Sequence, residues 1–289
     1  TVIHRIGIQG QSLKYRARGE VPGWILNRYS MDEHNGHFRV ATTKGWSWGA
    51  GEDQSRNIVT VLDMALNKTG QLDDIAPGEQ IYSSRFMGDR CYLVTFRQID
   101  PFFVIDMHDA ENPQILGELK IPGYSSYLHP YDENHIIGLG KDDGAVKISL
   151  FNVTDVENPK ELANLQVGEG YSDSMALWDT HAFTFDYEKD LLVIPIYQYS
   201  YDYSDGYSWT EDYCAKVFRI SPKNGITEEA SIEHPSQDMP DYYYGYYYSY
   251  GNQVKRSFFI GDVLYTVSDT HLKANNFNGW GQAGLVGLG

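Results

Sequence analysis

The chain has 289 residues, 42% hydrophobic and 21% charged, a composition that builds a packed core and falls outside the disordered range. Its 39 acidic against 23 basic residues give a formal net charge of -16 with no Lys/Arg cluster, which excludes a nucleic-acid partner and disfavours an anionic membrane surface. No apolar run approaches the roughly 18 residues of a membrane span, Leu191-Leu192-Val193-Ile194-Pro195-Ile196 being among the longest.

In chain order, Thr1-Val2-Ile3-His4-Arg5 already alternates like a strand, so either a leader has been removed or the chain is part of a longer protein. Residues 1–21 read as half of a strand unit. His34-Asn35-Gly36-His37 is a hairpin turn, since Asn-Gly supplies the positive φ that type I′ turns demand. Its two imidazoles could share a metal, but no His or Cys spacing completes a zinc or copper set, and they read as a solvated turn pair. Gly45-Trp46-Ser47-Trp48-Gly49 fits the Gly-x-Ser-x-Gly nucleophile pattern without the helix that motif needs, and reads as a loop. Asp73-Asp74 and Asp142-Asp143-Gly144 read as turns.

The decisive feature is a repeat. Phe102-Phe103-Val104-Ile105-Asp106-Met107-His108-Asp109-Ala110-Glu111-Asn112-Pro113 is a strand followed by a turn, and its Asp-x-Glu-Asn-Pro recurs 46 residues later at Asp155-Val156-Glu157-Asn158-Pro159. More divergent copies are Val59 to Met64 and Ala215 to Pro222. Between them lie strand–turn–strand segments centred on Asn35-Gly36, Gly88-Asp89, Asp132-Glu133-Asn134, Asp179-Thr180 and Gly261-Asp262, with 43 residues from Asp89 to Asp132 and 47 from there to Asp179. A period of roughly 40 to 50 residues with four short strands per unit is the signature of a β-propeller, and no long 3.6-residue stripe supports a helical solenoid. The expected fold is therefore all-β, with four-stranded blades. Residues 1–21 and about 255–273 read as half-blades; if they pair, about five blades close, and if not the chain is an arc of a larger ring. The propeller domain is placed at 1–273 and a tail at 274–289.

Several of these segments resemble the secreted bacterial and archaeal proteins with a C-terminal β-propeller domain distantly related to WD-type repeats. The residues carrying the resemblance are Pro22 to Glu33, Ser84 to Arg90, Asp100 to Asp106, Leu116 to Gly123, Leu128 to Asn134 and Val254 to Thr266. The resemblance spans roughly residues 1–273 and implies export and a propeller fold, with no settled activity.

Cys91 and Cys214 fall in different repeat units and read as two separate buried thiols. Asn67-Lys68-Thr69 and Asn152-Val153-Thr154 are N-glycosylation sequons, meaningful in an exported chain. Asp202, Asp205 and Asp212 could offer oxygens to calcium but lack the order of an EF-hand loop. The most unusual feature is tyrosine: Tyr197, Tyr199, Tyr201, Tyr203 and Tyr207 form one cluster, and Tyr242 to Tyr250, including Tyr243, Tyr246 and Tyr248, another. Tyrosine gives rigid contact area with a hydroxyl handle. These insertions are the expected contact surface for a protein or glycan partner or for self-association, with the first cluster also fitting one face of a strand. The expectation is a non-enzymatic extracellular binding or scaffold module. The alternative is a propeller enzyme with a metal or cofactor at the ring axis, for which His108, His129 and His181 are the candidates.

Overall fold

The computed structural model describes residues 1–46, 51, 54–96, 100–168, 170–202, 208–235 and 251–288, with backbone alone for 100, 200–202 and 208–210. The regular structure is all-β apart from short 3₁₀ turns. A hairpin of β1 (Val2–Gln9) and β2 (Ser12–Glu20) leads into five sheets. The first is β3 (Met31–His34), β4 (His37–Lys44), β5 (Arg56–Leu62) and β6 (Lys68–Ile75), paired in that order. The second is β7 (Gln80–Met87), β8 (Arg90–Phe96), β9 (Asp100–Asp106) and β10 (Gln114–Ile121), and the third β11 (Tyr124–Pro130), β12 (His135–Asp142), β13 (Ala145–Asn152) and β14 (Lys160–Val167). The fourth contains β15 (Tyr171–Asp173), β16 (Thr184–Asp186), β17 (Leu191–Asp202), β18 (Ser208–Ser221) and β19 (Gly225–Glu233). The fifth is β20 (Arg256–Ile260), β21 (Val263–Val267), β22 (His271–Asn276) and β23 (Gln282–Gly287). Two compact units divide the chain, 1–138 with 151–161, and 139–150 with 162–289, the boundary falling within the third sheet.

Turn chemistry behaves as the sequence demands. Asn35 and Gly36 both have positive φ, as do Asp143 and Gly144, which is the geometry of a type I′ hairpin. Asp73-Asp74 departs from its reading as a turn. Both residues lie inside β6, at a bulge where the pairing jumps from Val59↔Leu72 to Asn57↔Ile75, and Asp74 takes up the extra residue with φ 57°.

In the first unit the middle strands are buried on both faces, which explains their continuous apolar runs. Cys91, Leu93, Phe103 and Ile105 pack against Ala41, Val59 and Val61 of the first sheet. Their alternates Tyr92, Val94, Phe102 and Val104 pack against Leu128, Ile136 and Phe151, with the Phe102 and Phe151 rings stacked at 4.8 Å. Each large side chain removed from water in this way contributes about 1.5–3 kcal/mol. No sheet covers its own faces, so neighbours must stack.

The repeated Asp-x-Glu-Asn-Pro is a turn with a packing role. Asp109 accepts hydrogen bonds from the Glu111 N–H (3.0 Å) and the Asn112 amide (2.9 Å), and Asp155 accepts from the Asn158 amide (3.1 Å). Asp63 holds its own loop by accepting from the Ala65 and Asn67 N–H groups, both at 2.8 Å. The carbonyls exposed on each turn press on a glycine of the preceding sheet or hairpin. Gly19 in β2 meets Leu66, Gly70 in β6 meets Ala110, and Gly117 in β10 meets Val156.

The second unit has its core at Leu191, Val193, Ala215, Val217, Ile232, Val254 and Leu264, with Phe277 and Trp280 packed on its edge. Residues 255–273 are not half a sheet, and 274–289 are not simply a tail. β23 pairs with β22 from His271↔Gly287 to Asn275↔Gln282 and completes a four-stranded sheet. The glycines of Gln282-Ala283-Gly284-Leu285-Val286-Gly287 dilute the strand pattern and hide it from a periodicity reading.

Cys91 and Cys214 are both buried and free. Burial pushes the thiol of Cys214 up to about 11 and that of Cys91 further still, so both remain protonated and unreactive at neutral pH. His234 is also buried, hydrogen-bonded to the Ser268 hydroxyl at 2.9 Å and the Thr266 hydroxyl at 2.8 Å. Burial, then the charge of Lys273, pushes its imidazole down to about 4. Between that value and the ordinary 6.5 the unfolded chain binds the proton and the folded chain does not, so stability is present above about 6.5 and is lost as pH falls toward about 4. The thermal midpoint should therefore drop between pH 7 and pH 4.5, and His234→Gln should flatten that slope; an unchanged slope would remove His234 as its cause.

Candidate functional site

The fourth sheet is built around a proline. Pro195 lies in the middle of β17 and has no N–H to give a neighbouring strand. On that edge β17 pairs with β16 only at Leu191–Val193 and with β15 only at Tyr197–Tyr199, leaving 194–196 without a strand partner. The chain between β15 and β16 instead forms two 3₁₀ turns, Met175–Leu177 and Thr180–Ala182, capped by Ser174 and Asp179. The Asp179-Thr180 hairpin expected from the sequence is thus a capped 3₁₀ turn. Ser174 fills the gap by donating its hydroxyl to the Pro195 carbonyl at 2.6 Å.

This break leaves a cleft of about 420 Å³, within the range of small-ligand sites. It is lined by Asp173, Met175, Trp178, Tyr197, Glu211 and Tyr213, with Pro195, Ile196, Gln253 and Val254 contributing to its walls. The register explains the lining. Tyr171 and Asp173 of β15, Tyr197 and Tyr199 of β17, and Glu211 and Tyr213 of β18 stand opposite one another in alternation and so share one face. Tyr197 stacks on Tyr213 at 4.8 Å and Tyr199 on Tyr171 at 4.7 Å. Both oxygens of Glu211 are engaged, accepting from the Tyr197 hydroxyl (3.2 Å) and the Tyr213 hydroxyl (2.9 Å). Trp178, at the 3₁₀ end of the cleft, is 69% exposed.

The other sequence candidates divide. Tyr199 and Tyr201 lie in β17, and Tyr199 is part of the stacked face. Tyr203, Tyr207, Tyr243, Tyr246 and Tyr248 lie outside the described residues, as do Asp205 and the Ser47-Trp48-Gly49 part of the elbow-like motif. Of the calcium candidates, Asp212 stands on the opposite face and accepts a hydrogen bond from Gln198 at 3.0 Å; the Asp202 side chain is outside the described set. Among the described residues, no group of three or more His, Cys, Asp or Glu is arranged to hold a metal ion.

The hairpin histidines part company. His34 meets Asp89 at 3.0 Å, while His37 contacts the Asn35 carbonyl of its own turn. The His34 hydrogen bond, with a further contribution from His108, holds the Asp89 carboxyl below its usual range. His108 is largely exposed, 3.6 Å from Asp89. His129 sits beside the Tyr127 hydroxyl at 3.1 Å, and burial together with Arg85 pushes it down to about 4. His181 rests on Asp179, which also takes the Arg256 guanidinium at 2.5 Å. The three histidines proposed from sequence thus rest on three different residues, Asp89, Tyr127 and Asp179, with Asp89 shared by His34 and His108.

Sequence reasoning placed tyrosine here but missed Asp173, Met175, Trp178, Glu211 and Gln253. The available signal was Pro195 inside an apolar run, which announces an interrupted strand edge.

Residues 1–279 match the family described as the beta propeller domain. The chain belongs to that family. Its sheets are accordingly propeller blades, each an antiparallel four-stranded unit with β16 added to the fourth. An uncharacterized protein of Archaeoglobus fulgidus is 43% identical over 290 residues, covering 99% of this chain and 39% of the relative. An uncharacterized protein of Methanocaldococcus jannaschii is 39% identical over 264 residues, 91% of this chain and 36% of that protein. The chain therefore spans less than two-fifths of the length of the relatives it matches.

Proposed function

We propose that this propeller domain is a non-enzymatic binding module of an exported protein and that the cleft on its fourth blade is the ligand site. One observation carries the reading. A break in a strand edge opens a concave space lined by an exposed Trp178, two carboxylates and the stacked pair Tyr197 and Tyr213. Exposed tryptophan is costly to leave in water and is enriched where binding energy concentrates. The interlocked Tyr197, Glu211 and Tyr213 keep the remaining walls in place before a ligand arrives.

The test is to probe peptide and glycan arrays with the chain and with Trp178→Ala. A defined ligand class retained by the chain and weakened at least tenfold (about 1.4 kcal/mol) by the substitution supports the reading. Identical profiles for the two proteins would remove the cleft as the site, and a change in oligomeric state alone would redirect it to self-association.

Export has its own test. Asn67 is exposed at a turn, whereas Asn152 is half-buried and its side-chain oxygen accepts the Thr154 N–H at 2.8 Å. In protein from the native host, peptide mapping should find glycan at Asn67 and none at Asn152. A bare Asn67 would withdraw this support for export.

A further inference from the structure

The cleft on the fourth blade is aromatic and acidic. The hydroxyl protons of Tyr197 and Tyr213 are committed to Glu211. Burial, reinforced by that carboxylate, pushes Tyr197 up to about 12, so it stays a neutral donor to Glu211. Among the described residues, the lining carries two carboxylates, Asp173 and Glu211, and no basic side chain. Their environments differ. Asp173 is met by Lys141, whose ammonium lies 3.5 Å from its Oδ2 and 4.2 Å from the Tyr171 ring centre. Asp173 also accepts the Ser174 N–H and the Tyr171 hydroxyl. Arg256 touches the Met175 sulfur but is itself paired with Asp179. Glu211 has no cationic partner among the described residues, only the two tyrosine hydroxyls. One carboxylate charge in an aromatic cleft is therefore uncompensated.

We infer that this cleft takes an organic cation, an ammonium or guanidinium group seated between the Glu211 carboxylate and the faces of Trp178 and the tyrosines. The inference rests on the binding-module reading above and supplies its ligand class. Any organic cation neutralises Glu211 while lying against ring faces whose quadrupole attracts positive charge, and one with N–H groups also donates hydrogen bonds to the carboxylate. A neutral sugar offers hydroxyls that need donors as well as acceptors and leaves the charge in place. The cation has two possible sources, a free small amine or the basic side chain of a protein partner, and a net charge of -16 favours approach of either.

The test is isothermal titration of the 289-residue chain with four probes: N-acetyl-arginine amide, its neutral isostere N-acetyl-citrulline amide, tetramethylammonium chloride and glucose. At least one of the two cations should bind, and the citrulline compound should bind at least tenfold more weakly than the arginine compound if the guanidinium is preferred. Preference for tetramethylammonium points to a free quaternary amine, and preference for blocked arginine to a protein side chain. Glu211→Gln should weaken the preferred cation at least tenfold, and added salt should weaken it further. Trp178→Ala, at an exposed position that should leave the fold intact, should do the same, with far-UV circular dichroism as the control on both variants. Equal binding of the arginine and citrulline compounds without tetramethylammonium binding, or no binding of either cation, overturns the inference. If glucose alone binds and Trp178→Ala abolishes it, the cation inference fails while the binding-module reading stands. If no probe binds and the array profile is also insensitive to Trp178→Ala, both fail.

Discussion

Gly117→Ala is expected to destabilise the domain by about 3 kcal/mol, far more than a single methyl group in a strand ordinarily costs. A Cβ at this position would stand 2.2 Å from the Val156 carbonyl oxygen and 3.0 Å from both the Glu157 carbonyl oxygen and the Pro159 ring. Val156 and Glu157 belong to the Asp155–Pro159 turn, tied by the Asp155 carboxylate and by the Asn158 N–H donating to the Asp155 carbonyl at 3.2 Å, so the obstacle is backbone. It cannot swing aside as a lysine tip would. Gly70→Ala should behave alike, because its Cβ would lie 2.2 Å from the Ala110 oxygen in the equivalent turn. Gly284→Ala is the control. Its nearest neighbour is the Ala274 Cβ at 3.8 Å, and the change should stay within about 0.5 kcal/mol. Urea unfolding of the three variants measures this directly. Equal midpoints for Gly117→Ala and Gly284→Ala would mean that the turn and the strand do not bear on one another.

That contact also explains why the repeat was legible before the architecture. Asp109 and Asp155 cap their turns, Asn112 and Asn158 return amides to them, and the turn backbone must match a glycine in the neighbouring outer strand. Three constraints on one short segment keep its spelling intact while the strands around it drift among apolar residues. The same logic accounts for Ala163, which stands in β14 where Gly117 stands in β10. Its partner in the next turn is Gly225, and the small residue is shared between the two sides.

The features that escaped the sequence lack such a signature. β23 is one-third glycine and reads as a tail until its partner strand supplies the ladder. The cleft is set by where a strand is missing, and a missing strand leaves no periodicity. Tyrosine content pointed to the blade that carries the cleft, and alternation put Tyr197 and Tyr199 on one face. That Glu211 and Asp173 share this face depends on register across three strands, which follows from pairings that no single segment encodes. Trp178 follows a strand that ends after three residues, and its exposure depends on two 3₁₀ turns whose only local sign is the pair of caps, Ser174 and Asp179.

Asp32→Ala should cost about 3–5 kcal/mol, because it leaves a buried guanidinium without its counter-charge. Arg39 lies in β4 with its side chain 2% exposed. Its Nε donates to Asp32 Oδ1 and one terminal nitrogen to Oδ2, both at 2.8 Å, a two-pronged pairing that a lysine could not reproduce. The other terminal nitrogen donates to the Gly88 carbonyl at 2.7 Å, and the guanidinium lies 5.2 Å from the centre of the Phe86 ring. One charged group therefore joins β3 and β4 to the β7–β8 turn. Removing the carboxylate strands the cation. Removing both charges as Asp32→Leu with Arg39→Met replaces the pair with apolar volume and should restore much of the loss, giving a coupling of about 2 kcal/mol or more in the double-mutant cycle. The cycle is read from denaturant midpoints at constant slope. Strict additivity would show that the two side chains stabilise the domain independently, with Arg39 acting through Gly88 and Phe86 alone.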